Sequence, residues 1–71
     1  MDKGDFKLAI SLYEDLVKHN STYENWFNLA MSYKGDKNWA KSKEAYYKSL
    51  EINPKGYESY FNLAYLALND H

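Results

Sequence analysis

Acid–base or metal chemistry needs titratable side chains at workable spacing, and in these 71 residues the supply is thin. His19 and His71 each stand alone, and there is no cysteine. His19 falls near an expected helix C-terminus, where a basic ring is favoured by the helix dipole rather than recruited for catalysis. Glu14–Asp15 and Glu44 could work as acids or bases. Lys18 and Lys48, however, follow Glu14 and Glu44 by four residues, the spacing of ion pairs along a solvated helix face. No nucleophile–base set and no glycine-rich phosphate loop occurs, so no catalytic residue, metal or cofactor is expected. What the sequence supplies instead is contact surface: eight Tyr, three Phe, two Trp and two Met. Such side chains bury large areas and adapt their shape to a partner.

Charge narrows the partner class. The net charge of −1 gives no broad field for nucleic acid or an anionic membrane. All nine basic residues are Lys, and the missing guanidinium fork counts against bidentate recognition of phosphate or guanine. No apolar run approaches the roughly 20 residues that span a bilayer, so neither nucleic acid nor membrane insertion is expected.

The elements that must position the aromatics are written twice. Tyr23–Ala30 reads YENWFNLA and Tyr57–Ala64 reads YESYFNLA, at a shift of 34 residues. Asp5–Ser21 aligns with Asn38–Pro54 at a shift of 33, with Phe6 on Trp39, Ala9 on Ser42, Tyr13 on Tyr46 and Val17 on Leu50. A fixed period in this range marks a repeat architecture. Trp26, Leu29, Ala30 and Tyr33 share one face of a 3.6-residue period, and Tyr60, Leu63, Ala64 and Ala67 repeat it. Phe6, Ala9, Ile10, Tyr13, Leu16 and Val17 follow the same rhythm, as do Trp39, Ser42, Tyr46, Ser49 and Leu50. Ser21 or Thr22 can cap one helix and Asp36 or Asn38 the next. Gly35–Asp36 is read as a stop, and Asn53-Pro54-Lys55-Gly56 as a turn. The pattern predicts an all-α chain with helices near 5–19, 23–35, 38–52 and 57–69.

Trp26-x2-Leu29-Ala30-x2-Tyr33, then Ser42-x3-Tyr46, then Pro54 resembles the tetratricopeptide repeat, a 34-residue helix–turn–helix unit. Ala30 and Ala64 stand where Gly is usual and Ser42 where Ala is usual, all still small. Ala67 in place of Tyr, and Leu16 in place of a small residue, depart further. On this resemblance the second helix of a repeat spans 5–21, a complete repeat 23–56, and the first helix of a further repeat 57–71. It implies a right-handed solenoid of antiparallel helix pairs, not an enzyme, whose first helices line a concave groove that binds a protein or peptide.

Helical geometry points to the same surface. With Trp26 on the packing face, Phe27 and Met31 lie about 100° and 140° around the helix, flanked by Glu24 and Lys34. Phe61, Tyr65, Leu68 and Glu58 repeat that stripe. Asn28 and Asn62 sit beside it. Chaperone-binding members of the resembled family hold a C-terminal carboxylate with Lys, Arg and Asn here. With Phe and Met in the neighbouring positions and no Arg, that clamp is not expected. The expected groove is Glu24, Phe27, Asn28, Met31, Lys34, Glu58, Phe61, Asn62, Tyr65 and Leu68, with Phe27 and Phe61 equally able to serve as packing residues.

Solenoids need several repeats and polar end caps. The final helix carries Leu63, Ala64, Leu66, Ala67 and Leu68 with no later helix to cover them. The expectation is therefore that the face around Leu63, Leu66 and Ala67 is covered by the remainder of a longer array, or by self-association with a second copy. Trp26 and Tyr46 are expected to be buried between helices.

Overall fold

The computed structural model describes residues 4–69, so His71 lies outside the described residues. Four helices follow one another: α1 (Gly4–His19), α2 (Tyr23–Gly35), α3 (Trp39–Ile52) and α4 (Tyr57–Asn69). All regular structure among the described residues is helical. The expected spans hold to one residue, α1 starting at Gly4 and α3 at Trp39.

Each connection is built from short polar side chains. Thr22 caps α2, its hydroxyl accepting from the Asn25 amide at 3.1 Å. Ser21 instead accepts the Trp26 indole N–H at 2.8 Å. Asn38 caps α3, accepting from the Lys41 amide at 3.4 Å. In the last turn, Asn53 accepts the Lys55 amide on its side chain at 3.2 Å and the Gly56 amide on its carbonyl at 3.0 Å.

α2 ends where the Gly35–Asp36 signal puts it. Gly35 is the last helical residue and Asp36 the C-cap, and Lys37 takes the left-handed conformation at φ 61°. The Asn38 amide reaches the Tyr33 carbonyl at 2.9 Å and the Lys37 amide the Lys34 carbonyl at 3.0 Å, which makes a Schellman closure. Gly35 is required for a different reason: a Cβ there would lie 2.3 Å from the Phe6 ring of α1. The glycine lets α1 and the end of α2 approach.

α2 packs against α3 most extensively and against α1 next, and α4 packs on α3. The core joins Val17 of α1, Leu29, Ala30 and Tyr33 of α2, Ala45 and Tyr46 of α3, and Leu66 of α4. Polar residues fill the closest approaches. Ser42 donates to the Ala30 carbonyl at 2.8 Å. Ser49 and Ser59 share a hydrogen bond of 2.7 Å, and Ser59 donates onward to the Tyr23 hydroxyl at 3.2 Å. A hydroxyl satisfied in this way lets backbones come close without leaving an unpaired polar group. Gly56 serves the same seam, because a Cβ there would meet the Tyr23 ring at 2.3 Å.

Three expectations are corrected by this packing. Tyr46 is buried completely, whereas Trp26 is only half-buried, because its indole N–H turns outward to Ser21. Leu66 does not belong to an uncovered face: it is 0 % exposed and joins the core, with Leu63 half-buried beside it. Ser59, Leu63 and Leu66 lie at i, i+4 and i+7, so the face turned inward is theirs. The exposed face of α4 is one step around, at Tyr60, Ala64 and Ala67. The i,i+4 ion pairs are replaced as well. Glu14 accepts the Tyr33 hydroxyl, and Lys48 lies 4.0 Å from Glu51.

Candidate functional site: the face shared by α2 and α4

The residues expected to line a groove come from helices adjacent in the fold but 34 positions apart in sequence. Their link is Lys34 in the last turn of α2. Its ammonium donates to Asn62 Oδ1 across the gap at 2.7 Å and stands 4.7 Å from the centre of the Tyr65 ring. The hydrogen bond and the cation–π contact both tie the α2 stripe to the α4 stripe. Asn62 is oriented from its other end, where its amide donates to the Glu58 carbonyl at 2.8 Å.

Around this link the stripes divide into a floor and a rim. Phe27 is half-buried and belongs mostly to the floor. It stacks on Tyr23 with ring centres 5.8 Å apart and meets Tyr46 edge-on at 5.6 Å. Asn28 is half-buried too, its carbonyl accepting from Ser32 at 3.0 Å. Met31, Phe61, Tyr65 and Leu68 stand outward, with Phe61 75 % and Met31 41 % exposed. Glu24 and Glu58 are exposed in the first turns of their helices, where their charge complements the dipole. The face thus carries large apolar side chains around one fixed cation. Lys34 is already engaged, which leaves this surface better suited to apolar contact than to a bare anion.

The sequence pattern did not reveal the clefts on the Trp26 side of α2. Two clefts share a floor of Trp26, Leu29 and Tyr33. One, of about 570 Å³, is walled by Glu14, Val17 and Lys18 of α1. The other, of about 280 Å³, is walled by Lys41, Glu44, Ala45 and Lys48 of α3. The signal for them was the tryptophan itself, read as core because it fits the helical period. Tyr33 lines both, its hydroxyl donating to Glu14 and its ring 5.8 Å from the Lys41 ammonium. Burial first, and then the Glu14 carboxylate, push the Tyr33 hydroxyl well above the usual tyrosine range, so it stays a donor. Burial raises Tyr46 similarly, with a smaller contribution from Tyr23.

Among the described residues no group of three or more His, Asp or Glu side chains is gathered as a metal site, and no helix is long and apolar enough to cross a membrane. Two family models, each described as tetratricopeptide repeat, match residues 23–55 and 45–71. Comparison with curated proteins and with solved structures gives no match.

Proposed function

The chain belongs to the tetratricopeptide-repeat family, whose repeats generally mediate protein–protein interaction, and on that premise we propose that it is an interaction scaffold. The proposed ligand is an apolar or amphipathic segment of a partner protein, docked on the face shared by α2 and α4. The observation that carries this reading is the exposure of Met31, Phe61 and Tyr65 on either side of the Lys34–Asn62 link. Clustered large apolar side chains in water usually mark a contact surface. Met and aromatics are the types that dominate contact energy when such a surface is covered. Family members of this kind typically do not catalyse reactions, and the residues of the face support contact rather than bond-making.

A panel of synthetic peptides with aromatic, aliphatic or wholly polar side chains tests the reading by amide chemical shifts. Aromatic and aliphatic peptides should shift the amides of α2 and α4 around Met31 and Phe61. Met31→Lys and Phe61→Lys should each weaken binding by tenfold or more while leaving helical content unchanged. Equal binding of the polar peptides, or binding indifferent to both substitutions, would remove this face as the site.

A further inference from the structure

The face left open on α4 has an in-chain template for what fits it. α4 repeats α2, so Tyr60, Leu63, Ala64 and Ala67 stand where Trp26, Leu29, Ala30 and Tyr33 stand. In α2 that face receives α3: Ser42 donates to the Ala30 carbonyl at 2.8 Å and Lys41 lies over the Tyr33 ring. Ala45 lines a cleft together with Trp26, Leu29 and Tyr33. α1 in turn repeats α3, with Leu8, Ala9 and Leu12 at the positions of Lys41, Ser42 and Ala45. Leu8 and Leu12 form a leucine pair 63 % and 57 % exposed, while Tyr60, Ala64 and Ala67 are exposed on the opposite flank.

We propose that copies of this chain associate head to tail, α1 of one copy packing on the exposed α4 face of the next as α3 packs on α2. The substitutions compensate in size. The Lys41–Tyr33 contact becomes Leu8 on Ala67, apolar on apolar. Ala45 beside Trp26 becomes Leu12 beside Tyr60, which moves bulk from one helix to the other. Ser42 on Ala30 becomes Ala9 on Ala64, keeping the closest approach small. The two surfaces differ and lie on different helices, so the contact is heterologous and leaves one free end of each kind for a further copy. The surface around Met31 takes no part, so this inference and the groove reading stand or fall separately.

Light scattering of the full chain across a concentration series tests it. The average mass should rise with concentration from 8.4 kDa past twice that value. Leu12→Glu blocks the α1 face and Ala64→Glu the α4 face; each variant alone should stay at 8.4 kDa. An equimolar mixture of the two should reach twice that mass and stop, because each supplies the face the other lacks. Both sites are exposed, so helical content by circular dichroism should be unaltered. Should either variant lose helicity, Leu8→Lys and Ala67→Glu replace them on the same faces. Met31→Lys should leave the mass series unchanged. A parent chain that stays at 8.4 kDa throughout overturns the proposal. So does a dimer that survives Leu12→Glu, which would mean a symmetric contact between α4 helices.

Discussion

Tyr46→Phe should make this protein more stable, and the sign of the change is the test. The side chain is 0 % exposed, and its hydroxyl has no hydrogen-bond partner among the described residues. A buried hydroxyl in that state costs roughly 1–3 kcal/mol of lost hydration. The substitution removes that cost and keeps the ring, including its edge-on contact with Phe27 at 5.6 Å. The space vacated by one oxygen costs only a few tenths of a kcal/mol, at about 24 cal/mol per Å³. The balance is a gain of about 1–2 kcal/mol, or roughly 4–8 °C of melting temperature per kcal/mol for a domain of this size. Urea and thermal unfolding followed by circular dichroism would measure it. A hydroxyl that is hydrogen-bonded would give the opposite sign, a loss of about 1 kcal/mol. A loss above about 0.5 kcal/mol would therefore refute the reasoning.

Three further outcomes follow from local geometry. Gly56→Ala should destabilise by about 1–3 kcal/mol, in the range of core overpacking, because the new Cβ meets the Tyr23 ring at 2.3 Å; a melting curve equal to the parent's would show that the ring moves away freely. Lys37→Gly should stabilise by up to about 1 kcal/mol, relieving a left-handed Lys at φ 61°; urea titration resolves that change, and a loss of stability would put the strain elsewhere. Stability should also fall on the alkaline side. Tyr33 and Tyr46 are raised above the usual tyrosine value in the fold, so above about pH 10 the unfolded chain loses protons that the folded chain keeps. The stability these groups contribute is complete below the unfolded pKa and is lost as pH rises towards the folded ones. Tyr33→Phe should flatten that decline, read as the unfolding midpoint against pH, and an unchanged slope would contradict the assignment.

The element order and the helix spans were legible because the chain states them twice. The octets at Tyr23 and Tyr57 fix a period, and Thr22, Asn38 and Pro54 mark where helices begin and stop. The packing faces of α2 and α3 were legible too, in Leu29, Ala30 and Tyr33 and in Ser42, Tyr46 and Ser49; what was not legible is which side of α4 faces a neighbour. Leu66 and Ala67 are adjacent and both apolar, so hydropathy cannot say that Leu66 is buried and Ala67 exposed. That choice depends on Ser49, Ser59 and Tyr23 meeting across three helices, and Ser59 and Tyr23 lie outside the stripes that the helical period picks out. Gly35 marked the helix end correctly, but its second role, making room for Phe6, lies between residues far apart in sequence. The outward placement of Met31, Phe61, Tyr65 and Leu68 was legible as a periodicity, whereas the Lys34–Asn62 link joins positions far apart in sequence.

The hydroxyl seam has a consequence for the order in which the molecule opens. α1, α2 and α3 meet through Val17, Leu29, Ala30, Tyr33, Ala45 and Tyr46, while α4 contributes Leu66 with Leu63 half-buried beside it, and is fastened further by Ser59, Asn62 and the Tyr65 ring. Apolar contact resists local opening more than a few polar fastenings do. Amide hydrogens of α4 should therefore exchange with solvent sooner than those of α2 and α3, as one cooperative unit. Half of the face proposed for partner contact belongs to that unit and exists only while it is docked. A ligand bridging Met31 and Phe61 would hold α4 in place and slow its exchange, and a protein that lost its ligand would release α4 first.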